Sequence, residues 1–225
     1  MAETADAPER ASAFVKGAVE LVRATGPLVH CVTNLVSMDL AANAVLAAHA
    51  SPAMVHAPEE ASGFARIAGC VVVNVGTIDA LWAEGMTAAV RAAAGSGVPV
   101  VLDPVGVGPV DVVVAPAGSD RMLVGVCGNG QELLTRVTAA GCALSAVCGA
   151  FLAAARPAAA AGAAMSALAA LAFYGGAADA AAEAIKGRGG TPGPGSMRSE
   201  LLDQLYSASP QEVQDRSLVQ FATIE

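Results

Sequence analysis

Apolar positions along this chain follow two rhythms. Over 8–24 they recur at helical spacing, with Phe14, Val15, Val19, Leu21 and Val22 supplying one side, which predicts an amphipathic helix. Short apolar runs at 27–33, 51–55, 70–76 and 100–102 read instead as buried strands. Helical stretches lie between them: 36–48, a segment opened by Pro58-Glu-Glu60, and one ending near Ala94. Strand and helix in alternation predict a doubly wound, mostly parallel sheet with helices on both faces. Past Gly108 the rhythm weakens. Strands at 111–115 and 121–126 flank a turn at 116–120, a helix runs to about Ala155, and Pro157 breaks it. Two alanine-rich helices are expected over 158–187, then a rigid loop at 189–196, a helix at 197–206 and a loosely held polar tail from Ser207. With no repeat and no linker, residues 1–225 read as one domain.

The run Val100-Val-Leu-Asp-Pro-Val-Gly-Val-Gly108 changes this picture from architecture to chemistry. A buried parallel strand delivers one carboxylate, Asp103, to the sheet's carboxyl edge, where ligands of open α/β sheets bind. A lone acid beside glycine-freed amides suits magnesium and phosphate, although Asp103 also reads as a cap on the loop that follows it. Asn34 and Asn43 flank another strand end, as ligand-orienting groups or as satisfied turn residues.

Gly141-Cys142 stands at a predicted helix start, where unpaired amides and a partial positive charge seat phosphate and a thiolate is favoured. Cys142 there is either a proton acceptor for an attacking alcohol or a small packing residue where helix meets sheet. Met54 alone reads as core filler. His30, His49 and His56 share no carboxylate or ligand spacing and read as surface or loop residues.

Composition narrows the partners. Hydrophobic residues are 55% and charged residues 14% of 225, too little polar surface for a comfortable monomer, so subunit interfaces are expected. Twelve basic against twenty acidic residues, with no basic stripe, argue against nucleic acid. Five cysteines without metal-ligand spacing read as free thiols of a reducing cytoplasm. The N-terminus lacks the charged-then-apolar order of a signal peptide. Residues 157–178 carry no charge, yet their alanine content fits buried helices better than a membrane span.

In order, the segments His30-Cys-Val-Thr-Asn34 with Ala42-Asn43, Ala50-Ser-Pro-Ala-Met54, Asn74-Val-Gly-Thr77, Leu102-Asp-Pro-Val-Gly-Val-Gly108, Leu133-Leu-Thr-Arg-Val-Thr138, Gly141-Cys-Ala-Leu-Ser-Ala146 and Gly193-Pro-Gly-Ser196 resemble the hydroxyethylthiazole kinases of thiamine salvage. The resemblance implies a three-layer, ribokinase-like α/β fold. It also implies ATP-dependent phosphorylation of 4-methyl-5-(2-hydroxyethyl)thiazole with Mg2+, in a cytoplasmic homotrimer with sites between subunits. By motif, Cys142 matches the catalytic position and Asp103 the magnesium-associated acid. Met54, Gly141 and Asn34 fall on the substrate side.

The chain departs from the family pattern on the nucleotide side. An Arg-Gly-Asn-x-x-Glu segment is absent, with roughly 40 residues missing between Val110 and Asp111 by motif spacing. Gly128-Asn-Gly-Gln-Glu132 mimics the end of that segment, with Cys127 in the arginine's place. Pro116-Ala117 replaces Thr-Gly, and Ala139-Ala140 replaces Gly-Thr ahead of Gly141-Cys142, removing a hydroxyl donor and easy access to positive φ. Asp39 adds a charge beside the substrate loop. The expectation is a kinase of reduced turnover, the alternative being a thiazole-binding homologue that no longer uses ATP.

Overall fold

A computed structural model describes residues 7–105 and 112–224. Gly106, Gly108, Asp111 and the expected point of loss beside Val110 lie outside the described residues. The chain divides into two compact units, one of residues 22–108 and 138–156, the other of residues 1–21, 109–137 and 157–225.

The first unit is built on a parallel sheet. Strands β1 (Leu28–Val32), β2 (Ser51–Ala53), β3 (Cys70–Asn74) and β4 (Val100–Asp103) lie in the order β2-β1-β3-β4, all neighbours parallel. All five residues of β3 are buried, as expected of a valine run with both faces covered. On one face Val32, Val71 and Val73 pack with Ala61 and Ala65 of α3 (Pro58–Ile67) and Trp82, Met86 and Ala89 of α4 (Ala80–Ser96). On the other, Val29 and Val72 meet α5 (Ala140–Ala155) at Gly149, and α2 (Met38–Ala47) packs beside α5. These three layers are the α/β arrangement expected from the sequence. Asp79 caps α4 by accepting from the Trp82 amide at 2.8 Å.

The second unit holds an antiparallel sheet, β5 (Val112–Pro116), β6 (Met122–Cys127) and β7 (Val219–Ile224), in the order β5-β6-β7. Helix α6 (Ala160–Gly187) packs on it, with Ala164 joining Ala115 and Leu123 in a small apolar cluster. Helices α7 (Pro194–Ser207) and α8 (Pro210–Arg216) pack on α6.

Several expectations change here. The two alanine-rich helices are one: α6 runs unbroken through Gly175-Gly176 because Gly175 serves a close approach, its Cβ position lying 2.7 Å from the Asn129 carbonyl oxygen. Long and apolar enough to cross a membrane by composition, α6 is nonetheless largely buried inside its unit, as a core helix is. Helix α7 starts at Pro194, three residues early, with Ser196 Oγ accepting from the Gly193 amide at 3.0 Å. The tail is not loose. Ser209 and Glu212 form a reciprocal capping box that starts α8, and β7 then pairs with β6 through Val219, Phe221 and Thr223. Helix α1 (Ala7–Thr25) buries Ala11, Val15, Val19 and Val22, while Phe14 and Leu21, expected on that face, are exposed.

Candidate functional site

The carboxyl edge of the parallel sheet collects the polar residues that end its strands. Asn34 follows β1, Asn74 ends β3 and Asp103 ends β4. Parallel pairing sets Asn74 opposite Asp103, and the two are joined: Asn74 Nδ2 donates to Asp103 Oδ2 at 2.6 Å. Asn74 Oδ1 in turn accepts from Asn34 Nδ2 at 2.6 Å and from the Gly76 amide at 3.1 Å. Asn34 Oδ1 accepts from the amides of Val36 and Ser37 at 3.0 and 3.1 Å, and its Nδ2 lies 3.9 Å from Cys142 Sγ, in the first turn of α5. Every amide in this relay has one orientation that satisfies its neighbours. The relay therefore runs with fixed polarity from Cys142 through Asn34 and Asn74 to Asp103.

Close packing holds the relay in place. Asn34 and Asn74 are buried, whereas Cys142 and Asp103 are half-buried at its ends. A Cβ on Gly76 would stand 2.9 Å from Asn34 Nδ2, so the chain passes here only as glycine. Thr77 (φ +47°), Val105 (φ +60°) and Ala139 (φ +69°) border the relay in the left-handed region, where a β-branched valine is an outlier. Ala139 has taken this strained conformation without the glycine that suits it. Ala139→Gly should raise stability by about 1 kcal/mol, or roughly 2–4 °C in melting temperature, in a thermal melt at neutral pH.

The site residues read from the sequence are placed as follows. Asp103, Asn34 and Cys142 are brought together. Gly141 neighbours Cys142 as an exposed residue of the first turn of α5, and Met54 follows β2, half-buried, on the same sheet edge. Pro116 ends β5 in the other unit and is exposed. Asp103 does cap its own loop, Oδ1 accepting from the Val105 amide at 3.0 Å. Among the described residues each oxygen accepts a single hydrogen bond, which leaves it a further lone pair. Magnesium, which takes one or two carboxylates and completes its shell with water and phosphate oxygens, fits such a donor. No cluster of three or more His, Cys, Asp or Glu exists among the described residues that would offer a metal an all-protein cage.

Sequence reasoning missed the hub, Asn74. The available signal was a polar residue closing a buried valine run, the same signature that marks Asp103. It also misplaced His30, which is wholly buried in β1 rather than on a surface or loop. His30 Nε2 donates to the Val55 carbonyl at 2.7 Å. Burial pulls its imidazole below the ordinary value of 6.5, and the bond to Val55 offsets this only in part. A lowered folded value favours the neutral ring, so the associated stability is full above about pH 6.5 and is lost as pH falls through the folded value. Urea midpoints should therefore drop between about pH 7 and pH 5, and drop less in His30→Gln. Cys31, buried in the same strand, has its thiol pushed up to about 12 by burial, and Cys70 is pushed up as well. Neither is a nucleophile.

In the other unit a cavity of about 200 Å³ opens among α6, α7 and α8, lined by Phe173, Gln204, Glu212 and Arg216 among others. Its charged groups are already engaged, Arg216 with Glu183 at 2.7 Å and Glu212 with the Ser209 amide at 2.7 Å. It holds none of the relay residues.

Comparison with known proteins bears on this geometry. The model of the hydroxyethylthiazole kinase family matches residues 19–117 and 108–211. A hydroxyethylthiazole kinase of Cereibacter sphaeroides is 36% identical over 256 residues, covering 86% of this chain and 93% of that protein. One of Rhizobium etli is 36% identical over 267 residues, covering 91% of this chain and 100% of that protein. The solved structure of hydroxyethylthiazole kinase from Pyrococcus horikoshii superposes with a TM-score of 0.78 at 31% identity, covering 93% of this chain and 99% of that one. The matched 86% of this chain is about 194 residues, yet the alignment spans 256 positions, so roughly 60 positions of the Cereibacter protein have no counterpart here.

Proposed function

This chain belongs to the hydroxyethylthiazole kinase family, and we propose that the Cys142–Asn34–Asn74–Asp103 relay is where it phosphorylates its substrate. The reaction is transfer of the γ-phosphoryl group of ATP to the hydroxyl of 4-methyl-5-(2-hydroxyethyl)thiazole, in thiamine salvage. The single observation that carries the site is the pair of 2.6 Å amide bonds tying the sheet-edge carboxylate to Asn34, whose Nδ2 also lies 3.9 Å from Cys142 Sγ at the start of α5.

Each residue then has a task. Cys142 accepts or relays the alcohol proton as the oxygen attacks the γ-phosphorus, and the bond to the leaving ADP oxygen breaks. The amides of Gly141 and Cys142, in the first turn of α5, receive the phosphoryl oxygens in flight. Asp103, its carboxylate fixed by Asn74 and the Val105 amide, would hold Mg2+. That ion supplies neutralisation of charge on the phosphates. Asn34 aims its amide at the thiol, while Met54 and Gly141 contact the thiazole.

Positioning supplies most of the rate in phosphoryl transfer, so loss of nucleotide-side groups lowers turnover without erasing the site. Residues 1–225 form a single kinase-like domain that lacks part of its nucleotide side after about residue 110. The overlap of the two family matches at 108–117 and the roughly 60 unmatched positions support that reading. A cytoplasmic homotrimer with sites between subunits accords with the 55% hydrophobic composition and with exposed Leu102 and Val105 at the sheet edge. A coupled assay with Mg-ATP tests the function: ADP release should depend on the thiazole alcohol. Thiazole that raises the melting temperature with no product formed would mark a binding protein instead.

A further inference from the structure

Residues 54–56, which carry the thiazole-side Met54, belong to no helix or strand, yet three independent contacts pin them. From β1, the buried His30 Nε2 donates to the Val55 carbonyl at 2.7 Å. From α4, the Trp82 indole stacks on the His56 ring at 3.9 Å between centroids and 11° between planes. The helix also passes so close to the His56 backbone that a Cβ on Gly85 would fall 2.0 Å from its carbonyl oxygen. The same indole donates Nε1–H to the Thr33 carbonyl at 2.8 Å, one residue before Asn34. Trp82 thus ties the segment bearing Met54 to the strand end that starts the relay.

We propose that His30 and Trp82 are positioning residues that fix segment 54–56 against the end of β1 and thereby set the affinity for the thiazole alcohol. The proposal rests on the reading of Met54 as the thiazole contact. Neither residue touches the reacting atoms. His30 does its work through one nitrogen: Nε2–H reaches Val55, while Nδ1, buried, has no partner among the described residues. A glutamine amide places its nitrogen where Nε2 lies; an asparagine amide reaches only the Nδ1 position.

The test compares His30→Gln with His30→Asn by amide hydrogen exchange and by calorimetric binding of the thiazole alcohol and of ADP. Exchange at residues 55–57 should quicken about tenfold in His30→Asn, and the thiazole Kd should weaken about tenfold, with ADP binding unchanged. His30→Gln should restore both. Trp82→Phe keeps the stack but loses the bond to Thr33. It should quicken the same amides, which gives a second reading if His30→Asn does not fold. Equal behaviour of the glutamine and asparagine variants, or unchanged exchange at 55–57, would overturn the proposal. Quickened exchange in a protein whose wild type binds no thiazole alcohol would support the clamp and defeat the acceptor-site reading.

Discussion

Asp103→Asn should reduce turnover by about 10²–10³-fold, the loss expected when one charge-stabilising group is removed from a phosphoryl-transfer site. The substitution removes the carboxylate and almost nothing of its volume, so the fold should hold, with the melting temperature falling by a few degrees through mismatched bonds in the relay. Its effect spreads because the relay is polarised. Asn74 presents Nδ2–H to Asp103 Oδ2. An asparagine at 103 that keeps the Val105 bond turns its own Nδ2 toward Asn74, donor facing donor. Relief by flipping the Asn74 amide would then break the bonds from Asn34 and Gly76. Steady-state kinetics should show the loss mainly in kcat, with the thiazole KM little moved. Retained turnover would remove Asp103 from the chemistry.

Gly85→Ala should be the most damaging single methyl group tested, lowering stability by about 3 kcal/mol through overpacking against backbone. The added Cβ would meet the His56 carbonyl oxygen at 2.0 Å, and that oxygen belongs to a segment held on its other side by His30 and Trp82. No side chain can swing away to relieve the clash. For a chain of this size the melting temperature should fall by roughly 6–12 °C, with thiazole binding weakened in whatever protein stays folded. A shift within about 1 °C of wild type would show that α4 and residues 54–56 are not in contact in solution.

The sequence exposed the parallel sheet because its strands are written in β-branched residues at regular spacing, and each ends in the polar residue that matters. Val100-Val-Leu-Asp103 and Cys70-Val-Val-Val-Asn74 carry both element and site in one run. The bonds between those strand ends were hidden, because register depends on tertiary pairing: nothing local sets Asn74 opposite Asp103. Strand β7 escaped for a related reason. Val219 and Phe221 turn inward and alternate with exposed neighbours, but with only two inward positions in a polar tail the pattern is weak until β6 supplies a partner. Ser209 and Glu212, by contrast, spell a capping box that marks the start of α8 in the sequence itself. At Gly175 the absent side chain lets α6 pack against the Asn129 backbone, a contact no local pattern reveals. His30 misled because a histidine within an apolar run has no signature separating a buried hydrogen-bonding role from an exposed one. Strain at Thr77, Val105 and Ala139 is likewise invisible to composition, since only the finished backbone shows which non-glycine residues are forced to positive φ.

Cys142, Asn34, Asn74 and Asp103 act as one connected relay rather than as four separate polar residues, and a double-mutant cycle measures that connection. Asn34→Ala and Asp103→Asn, singly and together, are compared in kcat/KM for the thiazole alcohol. Residues acting through one relay give a double mutant no worse than about threefold below the poorer single variant, a strong departure from additivity. Losses that multiply, so that the double variant falls by the product of the two single effects, would show that Asp103 and the Cys142 end work independently and would contradict the site proposed here.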